Sequence, residues 1–214
     1  LGAVSFLHAS DGTVVVRAAD GVSAAAFNMG TGSATTTVGV GVNQNSVDVT
    51  GHAADLKFST VTIGTQNRNS DLASVFRFDT GTLEIGTLNA SSKGSNGSTT
   101  TTNIEIGGGT VTSGAWTLAS TSGAGNAVAN ATFTGGTLTF SGSILRGADS
   151  AGGGTATGTV TLDGATLDMQ ANTIGSATND VVFNAMSGTL SNLGELNGGG
   201  ALTKAGSGTL YMDG

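Results

Sequence analysis

The sequence contains no cysteine and no proline among its 214 residues. Without cysteine, the chain has no means of forming a disulfide or a thiolate metal site. Without proline, every residue can offer its backbone N–H to a β-ladder, so strand pairing need not be interrupted. Hydrophobic residues still make up 37% of the chain, and they fall in short alternating runs. This pattern indicates an ordered all-β protein rather than a disordered one.

Charged and aromatic residues are also scarce, at 10% and 5% of the chain. Seven basic residues face 14 acidic ones, which gives a net charge of −7. Nucleic acid is excluded as a partner, because binding phosphates requires clustered Lys and Arg. No apolar run approaches the roughly 18 residues of a transmembrane helix, so we expect no membrane insertion by this segment. The chain begins at Leu1 without a basic leader, and we therefore expect it to be part of a longer, processed chain.

Glycine is abundant, with 37 residues, and it marks an internal repeat. Each copy has an alternating strand, a short glycine-bearing turn and a second strand, and the separations between copies run from 20 to 29 residues. Such a period is typical of solenoid repeats. The copies are FRFDTGTLEIG (76–86), NIEIGGGTVTSG (103–114), NATFTGGTLTFSG (130–142), GTVTLDGATLDMQ (158–170), DVVFNAMSGTLSN (180–192) and GALTKAGSGTLYMDG (200–214).

A single copy is too short to bury a core, so successive copies should stack as coils whose strands pair in parallel. Alternate side chains then point inward and form columns. The residue before the turn predicts one column, Phe78, Ile106, Phe133, Leu162 and Phe183. The residue after the turn predicts a second, Leu83, Val111, Leu138, Leu167 and Leu190, continued by Leu210.

We predict one β-solenoid domain over 1–214, with about nine coils of roughly 20–30 residues. Recognisable repeats cover 56–214, whereas 1–55 is less regular. In that first part, Val38, Val40 and Val42 alternate as one expected strand face. Segments 91–102 and 146–158 are rich in Gly, Ser and Thr and are predicted to be loops between coils.

The last repeat resembles the strand repeat of bacterial autotransporter passenger domains. That repeat has Leu-Thr-Lys, a Gly-x-Gly-Thr-Leu turn and a short strand ending in glycine. The resemblance implies a right-handed, single-stranded parallel β-helix, export, and an extracellular or cell-surface location, with the repeat acting as a scaffold. The matching residues are Leu202, Thr203, Lys204, Gly206, Gly208, Thr209, Leu210 and Gly214.

Few residues suggest catalytic or metal chemistry. The two histidines, His8 and His52, fall in different expected coils, which argues against a zinc site and a catalytic triad. Acids recur near the turns and could line one edge of the rod, either as solvated corners or as the paired carboxylates of a polysaccharide-acting enzyme. They could also bind calcium weakly, and no other cofactor is expected. These acids are Asp79, Glu84, Glu105, Asp163 and Asp168.

The sequence thus predicts an exported bacterial surface β-solenoid with a structural or adhesive role and no enzymatic activity. Host or matrix glycans and proteins are the expected partners, and Lys204 is expected to point outward and blunt a strand edge. An alternative is the subunit of an extracellular filament, assembled by end-to-end stacking of open solenoid ends. A polysaccharide-acting β-helix enzyme is the remaining alternative.

Overall fold

A computed structural model describes residues 12–32, 43–94 and 97–214. These residues form an all-β protein without a helix, arranged as a β-solenoid of about five turns. None of its described segments is therefore a helix long and apolar enough to cross a membrane. His8 and the expected strand residues Val38, Val40 and Val42 lie outside the described residues.

The described residues form sixteen strands, and every pairing between them is parallel. The strands are β1 (Val14–Val16), β2 (Ala25–Gly32), β3 (Asn43–Asp48), β4 (Ala54–Gln66), β5 (Leu72–Phe78), β6 (Gly81–Lys93), β7 (Thr99–Ile106), β8 (Thr110–Thr121), β9 (Asn126–Phe133), β10 (Thr137–Phe140), β11 (Ile144–Arg146), β12 (Ala156–Asp168), β13 (Thr173–Ile174), β14 (Val182–Ser191), β15 (Glu195–Leu196) and β16 (Leu210–Asp213).

Each turn of the solenoid crosses three faces. Face A contains β1, β10, β16, the first halves of β4, β6 and β8, and the second halves of β12 and β14. Face B contains β2, the second halves of β4, β6 and β8, and then β11, β13 and β15. Face C contains β3, β5, β7, β9 and the first halves of β12 and β14.

The expected nine coils are not supported. Pairing on face A steps from Leu56 through Leu83, Val111, Leu138 and Leu167 to Leu190, which is five complete turns. Several strands are long. For example, β4 and β6 each have 13 residues, because they bend from face A to face B without a loop.

The two inward columns occupy the solenoid interior. The residue Phe78 pairs with Ile106, which pairs with Phe133, which pairs with Leu162, and all four are buried. On face A, the column from Leu83 to Leu190 is likewise in register and fully buried.

The prediction that Phe183 continues the first column was wrong, although Phe183 does pack against the core. Phe183 pairs with Val160 and is only half-buried, and Ala185 pairs with Leu162 instead. Ala185 lies five residues before Leu190, which is the spacing that the earlier turns keep. In the same way, Leu210 pairs with Gly188, and Met212 is the residue aligned with Leu190. In both turns, the residue that the sequence pattern predicts lies two positions before the residue that strand pairing places in the column.

Polar residues occupy part of the interior where face B meets face C. Gly30, Gly64 and Ser91 have left-handed backbones in equivalent positions of successive turns. A side chain on Gly64 would collide with the Thr102 hydroxyl, whereas Ser91 donates a hydrogen bond of 2.9 Å to that hydroxyl. Thus glycine faces the larger polar side chains of face C.

The two segments expected to be loops are partly strands. Residues 91–93 end β6 and residues 99–102 begin β7, so only the short stretch between them connects faces B and C. The chain between Arg146 and Ala156 is a loop, as expected. The polarity of the Thr-rich stretch is typical of a loop, but Thr100 and Thr102 are buried inside the solenoid.

Substituting Gly114 should destabilise the solenoid because two backbones approach closely there. An added Cβ would lie 2.0 Å from the Gly86 carbonyl oxygen of the neighbouring turn, and a backbone atom has little freedom to move aside. We expect Gly114→Ala to lower the free energy of unfolding by roughly 1–3 kcal/mol, measured by urea denaturation. Gly97→Ala is the matched control, because its Cβ would meet nothing within 4 Å. Equal effects for the two variants would contradict this packing.

Candidate binding groove on face C

The outward side of face C has a column of alternating charge. Asp48 pairs with Arg77, Arg77 pairs with Glu105, and Glu105 pairs with Thr132 in successive strands. The Arg77 Nε donates to the Glu105 carboxylate at 2.7 Å, and its Nη1 lies 3.5 Å from the Asp48 carboxylate. One guanidinium therefore bridges two acids from neighbouring turns.

This arrangement stabilises the ionised forms of Arg77 and Asp48. The hydrogen bond to Glu105 raises the pKa of Arg77, with the Glu105 and Asp48 charges adding to it. Partial burial by itself raises the pKa of Asp48, but hydrogen bonds from Thr50 and the charge of Arg77 outweigh it and lower that pKa. A general acid for glycoside cleavage needs the opposite, a raised pKa, so Asp48 is poorly suited to that role.

An amide ladder runs beside the charged column. Asn103 pairs with Asn130 in the next turn, and the Asn130 side-chain Nδ2 donates to the Asn103 Oδ1 at 3.0 Å. The Asn103 Nδ2 and the Asn130 Oδ1 take no part in this bond. Because strands β7 and β9 are locked by eight aligned residue pairs, the two amides are held in a fixed arrangement.

A groove of about 470 Å³ lies along this part of face C and its corner with face A. The long Arg77 and Glu105 side chains flank it, and Gly107 has no side chain to fill it. It is a concave surface lined by amide, hydroxyl and charged residues, although most of its accessible surface is apolar. Its lining residues are Thr50, Arg77, Asn103, Glu105, Gly107, Asn130, Thr132 and Thr134.

A second, smaller groove of about 320 Å³ follows the corner between faces A and B. Gly86 and Gly114 form its floor, and the ion pair between Lys57 and Glu84, at 3.0 Å, lies on its side. This groove offers fewer polar side chains arranged in register than the groove on face C. We therefore take the face C groove as the candidate site.

The acids highlighted by the sequence are each engaged by a different partner. Asp79 accepts a hydrogen bond from the Gly51 backbone, Glu84 pairs with Lys57, and Glu105 pairs with Arg77. Asp163 accepts from Ser187 at 2.7 Å, and Asp168 accepts from Asn192 at 3.0 Å. Across residues 12–32, 43–94 and 97–214, no group of three or more His or acidic side chains could hold a metal ion.

The residues that resemble the autotransporter repeat lie in the last turn of the solenoid. Lys204 makes a single bridge with Ala185, so it aligns with the inward column although its side chain is exposed. Its Nζ donates to the Gly206 carbonyl at 3.0 Å, across the Gly-x-Gly turn. Thr203, Gly206, Gly208, Thr209 and Gly214 are exposed, and Leu202 and Leu210 are half-buried against the core. None of these residues belongs to the groove.

The groove residues were missed in the sequence, apart from Glu105. The sequence does contain a spacing that could have found them. Arg77 and Glu105 are 28 residues apart, and Asn103 and Asn130 are 27 apart, which is the spacing within the core columns.

No protein-family model, curated protein or solved structure matches this chain.

Proposed function

We propose that this chain is a segment of an exported bacterial surface β-solenoid with a structural and adhesive role. The observation that supports it most is the groove on face C, which is built on strands held in register over successive turns. A right-handed, single-stranded helix of the autotransporter-passenger type fits this proposal, because parallel crossover connections are almost always right-handed. Because paired strands hold the lining residues in place, the groove keeps its shape without a bound ligand.

The chemistry of the groove favours a neutral, hydroxyl-rich glycan. Amides and hydroxyls, such as those of Asn103, Asn130 and Thr132, both donate and accept hydrogen bonds, as sugar hydroxyls do. Arg77 is already shared between two carboxylates, so it has little capacity to neutralise an acidic polymer. The net charge of −7 also repels polyanions.

The test is to measure binding of the purified chain to immobilised neutral and acidic polysaccharides. We expect binding to a neutral member and about tenfold weaker affinity for Asn130→Ala, because one or two hydrogen bonds are lost. Asn89→Ala is the matched control, since Asn89 is an exposed amide on face B, away from the groove. Circular dichroism should show that both variants keep the fold.

Two outcomes would count against the proposal. If no glycan binds, or if Asn130→Ala binds as well as Asn89→Ala does, the groove is not the adhesive surface. If the glycan is shortened during incubation, as measured by chromatography of the products, the chain acts as a polysaccharide-degrading enzyme instead.

A further inference from the structure

The groove on face C ends at β9 and the turn after it, but hydrogen-bonding side chains continue into the next two turns. Asn130 is aligned with Thr159 in β12, and Thr132 is aligned with Thr161. Thr161 is in turn aligned with Asn184 in β14. These three residues beyond the groove are half-buried on the outward side of face C. We call Thr159, Thr161 and Asn184 the neutral ladder.

The neutral ladder is held in position in the same way as the amides of the groove. Asn184 Nδ2 donates to Thr161 Oγ1 at 3.2 Å, much as Asn130 Nδ2 donates to Asn103 Oδ1. Strand β12 is aligned with β9 without a break over residues 156–162. The groove and the neutral ladder therefore form one continuous row of hydroxyl and amide groups.

The outward column that contains Thr161 changes from charged to neutral along the solenoid axis. Its members from Asp48 to Glu105 form ion pairs with one another, whereas those from Thr132 to Asn184 carry no charge. Covering ion pairs with a neutral ligand removes water from charged groups, which costs more free energy than covering a hydroxyl that bonds to the ligand. A neutral ligand that extends beyond the groove therefore runs toward β14 rather than toward β3.

Hydrogen-bonding groups recur in this direction at every turn, about 4.8 Å apart. One such column contains Asn103, Asn130 and Thr159. A polysaccharide carries hydroxyls at regular intervals along its length, so each turn can bind a further part of it. The groove, at about 470 Å³, has the size of a pocket for one small molecule, and it holds only a short part of such a chain.

We propose that the glycan site extends from the groove over Thr159, Thr161 and Asn184, and that it binds an extended neutral polysaccharide with the sugar chain parallel to the solenoid axis. The extension rests on the proposed glycan binding, and it adds the direction of the sugar chain and three contact residues. The groove binds the first sugars and the neutral ladder binds those that follow. Affinity therefore increases with the length of the sugar chain.

Binding of short and long sugar chains tests the extension. The probes are the disaccharide and the octasaccharide of the neutral polysaccharide that binds the purified chain, with affinities measured by titration calorimetry. The double variant Thr159→Val with Thr161→Val removes two hydroxyls and keeps two β-branched residues in the strand. We expect it to bind the octasaccharide about tenfold more weakly and the disaccharide with unchanged affinity. Asn130→Ala should weaken binding of both, because Asn130 lies in the groove.

The matched control is Thr117→Val, because Thr117 is a half-buried outward threonine of β8 on face B. The proposal is overturned if the double variant binds the octasaccharide as tightly as this control does. It is also overturned if the unaltered chain binds the octasaccharide no more tightly than the disaccharide.

The side-chain amide of Asn184 gives a second readout by NMR. Its signal should shift when the octasaccharide binds and should not shift with the disaccharide, and a signal that the octasaccharide leaves unchanged contradicts the extension. If no sugar of any length binds, the proposed glycan binding fails and the extension fails with it. Binding that depends on Asn130 but is independent of sugar length overturns the extension alone, so the two failures are distinguishable.

Discussion

Arg146→Ala should lower the free energy of unfolding by about 3–5 kcal/mol, because it removes a large buried side chain and the donor to two backbone carbonyls. Arg146 occupies the inward column of face B, in register with Leu118, and its side chain is only 8% exposed. Its guanidinium donates to the Asp149 carboxylate at 2.8 Å and to the backbone carbonyls of Ala156 and Asp180. Alanine would leave those carbonyls without this donor and leave a cavity in the core.

Guanidinium denaturation would give the magnitude, and limited proteolysis would give the location. The Arg146 side chain ties two connections between faces B and C to the core, one containing Asp149 and one containing Asp180. We expect cleavage within 147–155 and 175–181 to become faster in the variant. Lys57→Ala is a suitable control, since Lys57 and Glu84 form a half-exposed pair worth about 1 kcal/mol or less. A similar small loss for Arg146→Ala would mean that the loops are held by other contacts.

Trp116→Ala should have an effect of the same size, about 3–5 kcal/mol. Trp116 is 1% exposed, and its ring meets Phe140 edge-on with the centroids 5.0 Å apart and Phe133 with the centroids 5.9 Å apart. These three rings come from faces B, A and C of the solenoid, so they join all three faces at its middle. Removing the largest of them should weaken packing on every face.

The indole also makes a buried hydrogen bond, because Trp116 Nε1 donates to Ser113 Oγ at 2.6 Å. A double-mutant cycle of Trp116→Phe and Ser113→Ala, followed by chemical denaturation, separates this bond from the ring packing. We expect Trp116→Phe to cost less than Trp116→Ala, and the two changes in the cycle to be less than additive. Val22→Ala is the control, with an expected change within about 0.5 kcal/mol, since Val22 is 75% exposed. Full additivity in the cycle would show that the hydrogen bond contributes nothing.

Much of the fold was predictable because strand periodicity and repeat spacing act over short distances. The alternation around Phe133 and Leu138, with Gly135 and Gly136 between them, indicates two strands and a tight turn, and the structure has β9 and β10 there. The groove was much less predictable. Nothing near Asn130 in the chain distinguishes it from other outward residues, and its partner Asn103 is a full turn away.

The sequence by itself determined the all-β character, the repeat period and the inward-facing residues of the regular turns. Alternation and glycine spacing are local properties of the chain. The tertiary structure decided the number of complete turns and the choice of Ala185 and Met212 over Phe183 and Leu210, because register depends on pairing between strands of different turns. It also decided that Arg146 and Lys93 are buried. Burial of Lys93 lowers its pKa through desolvation, and its ammonium group donates to the Arg68 carbonyl. A charged residue can enter the interior only where another turn supplies acceptors for it, and the sequence around that residue does not contain this information.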